Sequence, residues 1–130
     1  MIENNMTPEQ VVRRFFERWS VSVDEIYQSV RDTMAPDAVW ENVGLSRTVG
    51  PDEALGVFDA FEQMKTAHHI DVELLAIASS GNTVLTERRD IIVNGDGAVS
   101  LNIQVMGAFE IRDGKIVAWR DYFDTAQFIS

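Results

Sequence analysis

Apolar positions along this chain follow two periods. In the first half they recur every three to four residues, with Val12, Phe15, Phe16 and Trp19 as the clearest helical stripe. Thr7-Pro8-Glu9-Gln10 precedes it with a capping hydroxyl, a proline suited to the first helical position and a glutamine placed to close a capping box. Ser22-Val23-Asp24-Glu25 opens a second, short helix with Ile26 and Val30 inward, ending before Pro36. Pro51-Asp52-Glu53 opens a third with acidic residues at its N-terminus, and Leu55, Phe58 and Phe61 or Met64 turn inward. Between the second and third helices, residues 37–43 read as a strand on which Trp40 and Asn42 share a face and Glu41 points away. Residues 44–50 read as a loop.

From about His68 onward the period becomes two, as on a strand. Residues 69–79, 83–93, 99–111 and 116–124 are the predicted strands. Ser80-Gly81-Asn82, Asn94-Gly95-Asp96-Gly97 and Asp113-Gly114 supply the turns between them. Three helices followed by an antiparallel meander define an α+β fold, expected as a single domain over residues 1–130 with Met1 to Met6 frayed. Strands this long curve, and a curved sheet with helices packed on its concave side encloses a pocket.

The strand at 83–93 carries the first candidate chemistry. Thr86, Arg88 and Asp90 share a face with the apolar Val84 and Ile92, while Glu87, Arg89 and Ile91 face away. In the last strand Val117, Trp119 and Phe123 flank Asp121 in the same way. Two inward carboxylates and one inward arginine are charges that must be compensated or used. A buried structural ion pair and a catalytic site both satisfy that requirement. The inward residues of three strands, Arg88, Asp90, Ile92, Ile103, Val105, Trp119, Asp121 and Phe123, are expected to line one cavity, joined by Trp40 and Asn42.

Composition narrows the class. The net charge is −10, from 21 acidic and 11 basic side chains. Nucleic acid and anionic membrane surfaces, which select basic patches, are poor partners for such a chain. No cysteine is present, so disulfides, thiol nucleophiles and cysteine metal sites are excluded, and neither a metal nor a cofactor is expected. No apolar run approaches a membrane span and no signal-peptide core is evident, so a cytoplasmic location is the default expectation.

Thr86-Glu87-Arg88-Arg89-Asp90, Gly107-Ala108-Phe109 and Gly114-Lys115-Ile116-Val117-Ala118-Trp119-Arg120-Asp121-Tyr122-Phe123-Asp124 resemble the limonene-1,2-epoxide hydrolase family, within the larger group of NTF2-like (SnoaL-like) cone folds. The spacing from Arg88 to Asp121 fits that family without a gap. The resemblance implies an aspartate–arginine–aspartate triad that adds water to a small hydrophobic epoxide in one step, giving a vicinal diol without a covalent intermediate. It implies that Asp90 protonates the epoxide oxygen, that Asp121 takes a proton from water, and that Arg88 lies between them. Ile92, Ile103, Val105, Trp119, Phe123 and Phe128 would form the substrate pocket.

Two departures stand out. The family places a tyrosine and an asparagine two residues apart on the first strand to hold the water. Asn42 matches the asparagine, but Trp40 replaces the tyrosine, and an indole donates one hydrogen bond and accepts none. Family members also carry a closing segment after the position of Phe128, so a more open pocket is expected here. Two other readings remain: a hydrophobic-ligand binding module on the same fold, and an isomerase or cyclase of the ketosteroid-isomerase or SnoaL kind. His68 and His69 are expected at a strand edge on opposite sides, outside the chemistry. The outer sheet face should mix Leu85, Ile91, Met106, Ala108, Ile116 and Tyr122 with Glu87, Arg89, Gln104 and Arg120. Such a face suits a homodimer packed sheet to sheet.

Overall fold

The computed structural model describes residues 6–128; the expected fraying of Met1 to Met6 falls, but for Met6, outside the described residues. Helix α1 (Pro8–Trp19) starts with the predicted capping box. Thr7 Oγ1 accepts from the Gln10 backbone N–H at 3.2 Å, and Gln10 Oε1 accepts from the Thr7 N–H at 2.9 Å. Helix α2 (Val23–Thr33) is capped by Ser22, whose hydroxyl accepts from the Glu25 N–H at 3.1 Å. The Trp19 indole donates to Ser29 Oγ at 3.0 Å, a buried bond that ties the two helices together. Helix α3 (Pro51–Ala60) ends earlier than the pattern suggests, and Met64 reaches the core from a separate 3-10 turn, Glu62–Lys65.

Six strands form one curved sheet: β1 (Met34–Asn42), β2 (Ser46–Val49), β3 (Ala67–Ser80), β4 (Thr83–Asn94), β5 (Val99–Arg112) and β6 (Lys115–Tyr122). Their spatial order is β2-β1-β6-β5-β4-β3. Neighbours are antiparallel except β1 and β6, which run parallel, so the sheet is mixed. The hairpin turns are built as the sequence dictates. Asp113 and Gly114, at φ 52° and 75°, supply the two left-handed positions that match a tight turn to the twist of its strands.

Two expectations fail locally. Strand β2 lies within residues 44–50, which read as a loop. Only Thr48 of its four residues is buried, so the stretch has too little alternation to announce a strand, and its pairing with β1 makes it one. Ile116, expected on the outer face, is fully buried in the core. A register shift between Glu110 and Ile111 breaks the strict alternation where β5 meets β6, and Ile111 and Ile116 pair on the inside.

The core forms where α1 lies on the sheet. Phe15 meets Trp119 edge-on at 5.4 Å between centroids, and Phe16 meets Phe109 at 5.6 Å. Such edge-to-face pairs add about 0.5–1.5 kcal/mol each beyond the area they bury. Among the described residues no helix is long and apolar enough to cross a membrane.

Candidate active site

Register across the sheet assembles the site. One row of inward positions reads Thr86, Gly107, Asp121, Asn42 and Ser46 as it crosses β4, β5, β6, β1 and β2. The next row reads Val84, Phe109, Trp119, Trp40 and Thr48. A polar row therefore lies beside an aromatic one. In the aromatic row Trp40 stacks on Trp119 at 4.5 Å and on Phe58 of α3 at 5.2 Å.

Arg88 and Asp90 enter from the other side of the polar row. The Arg88 Nε donates to Asp90 Oδ1 at 2.9 Å, and Nη2 donates to Asp90 Oδ2 at 3.3 Å. The same Nη2 donates to Asp121 Oδ2 at 2.7 Å, so one guanidinium bridges both carboxylates. Its remaining nitrogen, Nη1, donates to Thr86 Oγ1 at 3.1 Å. Beneath it, the Phe16 ring centroid lies 4.7 Å from the guanidinium carbon, a cation–π contact. The second oxygen of Asp121, Oδ1, accepts from the Trp119 indole at 2.9 Å.

These groups sit in a nearly dry environment. The Arg88 side chain has 0% exposure, Asp121 6% and Asp90 15%. Burial opposes the charge on Arg88, but Asp121 and then Asp90 outweigh it and hold the guanidinium cationic. Burial also drives the Asp121 carboxyl above its ordinary range; Arg88 pulls the other way without cancelling it. With both carboxyls ionised, two negative charges face one positive charge in a low-dielectric site. A single proton on the cluster balances its charge, which is the sense in which burial raises the proton affinity of Asp121.

The polar row opens into a cavity of about 640 Å³. Asp90, Asp121, Asn42 and Ser46 line one part of it, and Trp40, Ile92, Ile103, Val105, Trp119, Phe123 and Phe128 line another. All were expected there except Ser46. Arg88 was also expected on the wall but is not: it lies behind the two carboxylates, against Phe16, because its reach to Asp121 runs along the floor of the sheet. The pattern missed a further wall formed by Phe58, Phe61 and Met64 of the α3 region, Leu45 and Ser46 by β2, and Ile70 of β3. The helical spacing of Phe58, Phe61 and Met64 was visible in the sequence, but not which of them would meet a cavity. Phe128 closes against Phe61 at 5.6 Å and Phe123 at 5.7 Å.

Asn42 Nδ2 donates to Ser46 Oγ at 3.1 Å, which fixes the amide beside Asp121. Trp40 Nε1 is buried with no hydrogen-bond partner. His68 and His69 do not face apart as expected. Their Nδ1 atoms lie 2.9 Å from each other, where β3 shifts register against β4, and His69 pairs with Asp71 at 3.3 Å. Neither histidine lines the cavity.

A curved mixed sheet closed by helices over an apolar cavity defines the NTF2-like class of cone folds. An NTF2-like protein of unknown function from Cytophaga hutchinsonii superposes with a TM-score of 0.71 over 99% of this chain and 100% of its own, at 13% identity. Within that class, the chain belongs to the limonene-1,2-epoxide hydrolase catalytic domain family, whose sequence model matches residues 6–130. A solved LEH-like epoxide hydrolase from Mycobacterium tuberculosis is 32% identical, with a TM-score of 0.69 over 91% of this chain and 83% of that one. Epoxide hydrolase EphG of the same organism is 35% identical over 101 residues. That alignment covers 78% of this chain and 64% of EphG, so the chain spans less than two thirds of that relative.

Proposed function

We propose that this chain is an epoxide hydrolase that adds water to a small hydrophobic epoxide and releases a vicinal diol. The observation that carries the reading is the pair of carboxylates bridged by one buried arginine at the polar end of an apolar cavity. A binding module for apolar ligands has no need of that arrangement, whereas one-step epoxide opening needs an acid and a base together at one pH.

Asp90 is the acid and Asp121 the base. A water beside Asp121 and Asn42, neighbours across β6 and β1, attacks an oxirane carbon while Asp121 takes its proton. The carbon–oxygen bond breaks as Asp90 delivers its proton to the leaving oxygen. Asp121 then holds one proton more and Asp90 one fewer, and transfer of a proton back restores the pair. Burial makes Asp121 a stronger base than a surface carboxylate, because its affinity for protons is raised. Arg88 keeps its charge throughout and offsets whichever carboxyl is ionised. Groups acting as positioned acids or bases contribute about 10²–10⁴-fold each.

The test is a panel of cyclic and aryl epoxides with diol detection, run on the wild type and on Asp121→Asn. Diol formation that Asp121→Asn abolishes is expected. A single turnover in labelled water should place solvent oxygen in the diol; oxygen from the enzyme instead would mean an ester intermediate and a different mechanism. The outer sheet face supports a second proposal, a homodimer. Leu85, Met106 and Tyr122 are exposed there, Met106 and Tyr122 are register partners, and Arg120 pairs with Glu110 at 2.8 Å alongside.

A further inference from the structure

We propose that Thr86 and Gly107 are positioning residues that make Arg88 bridge both carboxylates instead of pairing with Asp90 alone. Arg88 stands on β4 opposite Val105, and Asp121 stands on β6, two strands away. Neighbouring strands lie about 4.8 Å apart, so the guanidinium must cross the whole width of β5 to reach Asp121. It crosses at Gly107, the register partner of both Thr86 and Asp121. Gly107 is not in the left-handed region of backbone space, so its conformation does not call for glycine.

Space does. A Cβ added at Gly107 would stand 2.7 Å from Asp121 Oδ1 and 3.0 Å from Thr86 Oγ1, and would overlap Arg88 Nη1 outright. The missing side chain is the slot through which the bridge passes. Thr86 fixes the arginine in that slot: its hydroxyl accepts from Nη1 at 3.1 Å and donates to the Gly107 carbonyl at 3.3 Å. Both Thr86 and Arg88 are buried, so no solvent competes for these bonds. With Nη1 held by Thr86 and Nε by Asp90, the direction of Nη2 toward Asp121 is determined. Short of the slot, Arg88 would still meet Asp90, two residues along its own strand, and Asp121 would keep only the Trp119 indole.

The inference rests on the hydrolase reading only for its activity readout, and the first measurement is independent of it. Arg88 and Asp90 are the charged groups facing Asp121, and Arg88 is the one that lowers its proton affinity. Carboxyl carbon NMR titration of the intact protein therefore reports the bridge. In Gly107→Ala and Thr86→Val the Asp121 carboxyl should titrate at higher pH than in the wild type, while Thr86→Ser restores the wild-type curve. On any epoxide the wild type turns over, the first two variants should lose about 100-fold in kcat with KM little changed, the penalty of a misplaced catalytic group. Thr86→Val carries the test if Gly107→Ala does not fold. An Asp121 titration that superposes on the wild type in folded variants overturns the proposal. A wild type that turns over no epoxide overturns the hydrolase reading and leaves the titration test intact.

Discussion

Arg88→Met removes the guanidinium while keeping an apolar stem against Phe16. In the wild type that group gives two hydrogen bonds to Asp90, one to Asp121 and one to Thr86, all from a side chain with no exposure. The variant leaves two carboxyls facing each other in a site where little solvent reaches them. Removing one partner of a buried ion pair costs about 3–5 kcal/mol, because the remaining charge is uncompensated. Against a typical domain stability of about 5–15 kcal/mol, that is roughly 10²–10⁴ in the folding equilibrium constant. The loss must also depend on pH in a definite direction. Burial already raises the Asp121 carboxyl, and Arg88 is its main counterweight. Without Arg88 the folded-state proton affinity climbs further above the unfolded value. A raised carboxyl destabilises the fold above its own titration range, and the penalty is relieved as pH falls toward the ordinary carboxylate range. The gap between wild type and variant should therefore be widest near about pH 7.5 and narrow toward about pH 4.5. Urea unfolding at both pH values measures it, with unchanged m-values certifying a common unfolded state. Replacing all three charges, with Asp90→Asn and Asp121→Asn added, should recover most of the loss. A gap below about 1 kcal/mol near neutrality, the scale of a surface pair, or one that does not narrow in acid, would refute this account of the cluster.

Asp121→Asn removes a carboxyl whose folded-state proton affinity is raised by burial, so its melting temperature should gain on the wild type as pH rises through the carboxylate range. A constant or falling difference in scanning calorimetry would contradict the raised affinity. Trp40→Phe removes a buried N–H that has no acceptor, relieving about 1–3 kcal/mol that offsets the smaller ring's lost packing. Chemical denaturation should place it close to the wild type, whereas a loss above about 3 kcal/mol would mean that stacking on Trp119 and Phe58 dominates. Trp40→Tyr, which adds a hydroxyl at that position, should leave turnover unchanged or raise it; a large loss would mean that the indole shapes the cavity. Light scattering at micromolar concentration should report twice the mass of one 14.6 kDa chain, and Met106→Lys should halve it. A monomer mass in the wild type would reject the sheet-to-sheet interface.

What the sequence determined by itself lies within single elements. Strand alternation alone placed Thr86, Arg88 and Asp90 on one face and Trp119, Asp121 and Phe123 on one face, because successive side chains of a strand point to opposite sides. The capping box at Thr7, the helical stripe ending at Trp19 and the paired turn positions Asp113 and Gly114 are equally local, and each stands as read. What the tertiary structure decided lies between elements. The row from Thr86 through Gly107, Asp121 and Asn42 to Ser46 joins five strands and depends on register, including a parallel pairing of β1 with β6 that no local pattern encodes. Residues 46–49 became a strand only because β1 offered them an edge, and Ile116 turned inward only because the ladder shifts at Glu110. The position of Arg88 shows the division most clearly. Its face was legible from parity, but its place behind the carboxylates follows from a long side chain crossing a neighbouring strand at a glycine. That path exists only once three strands lie side by side.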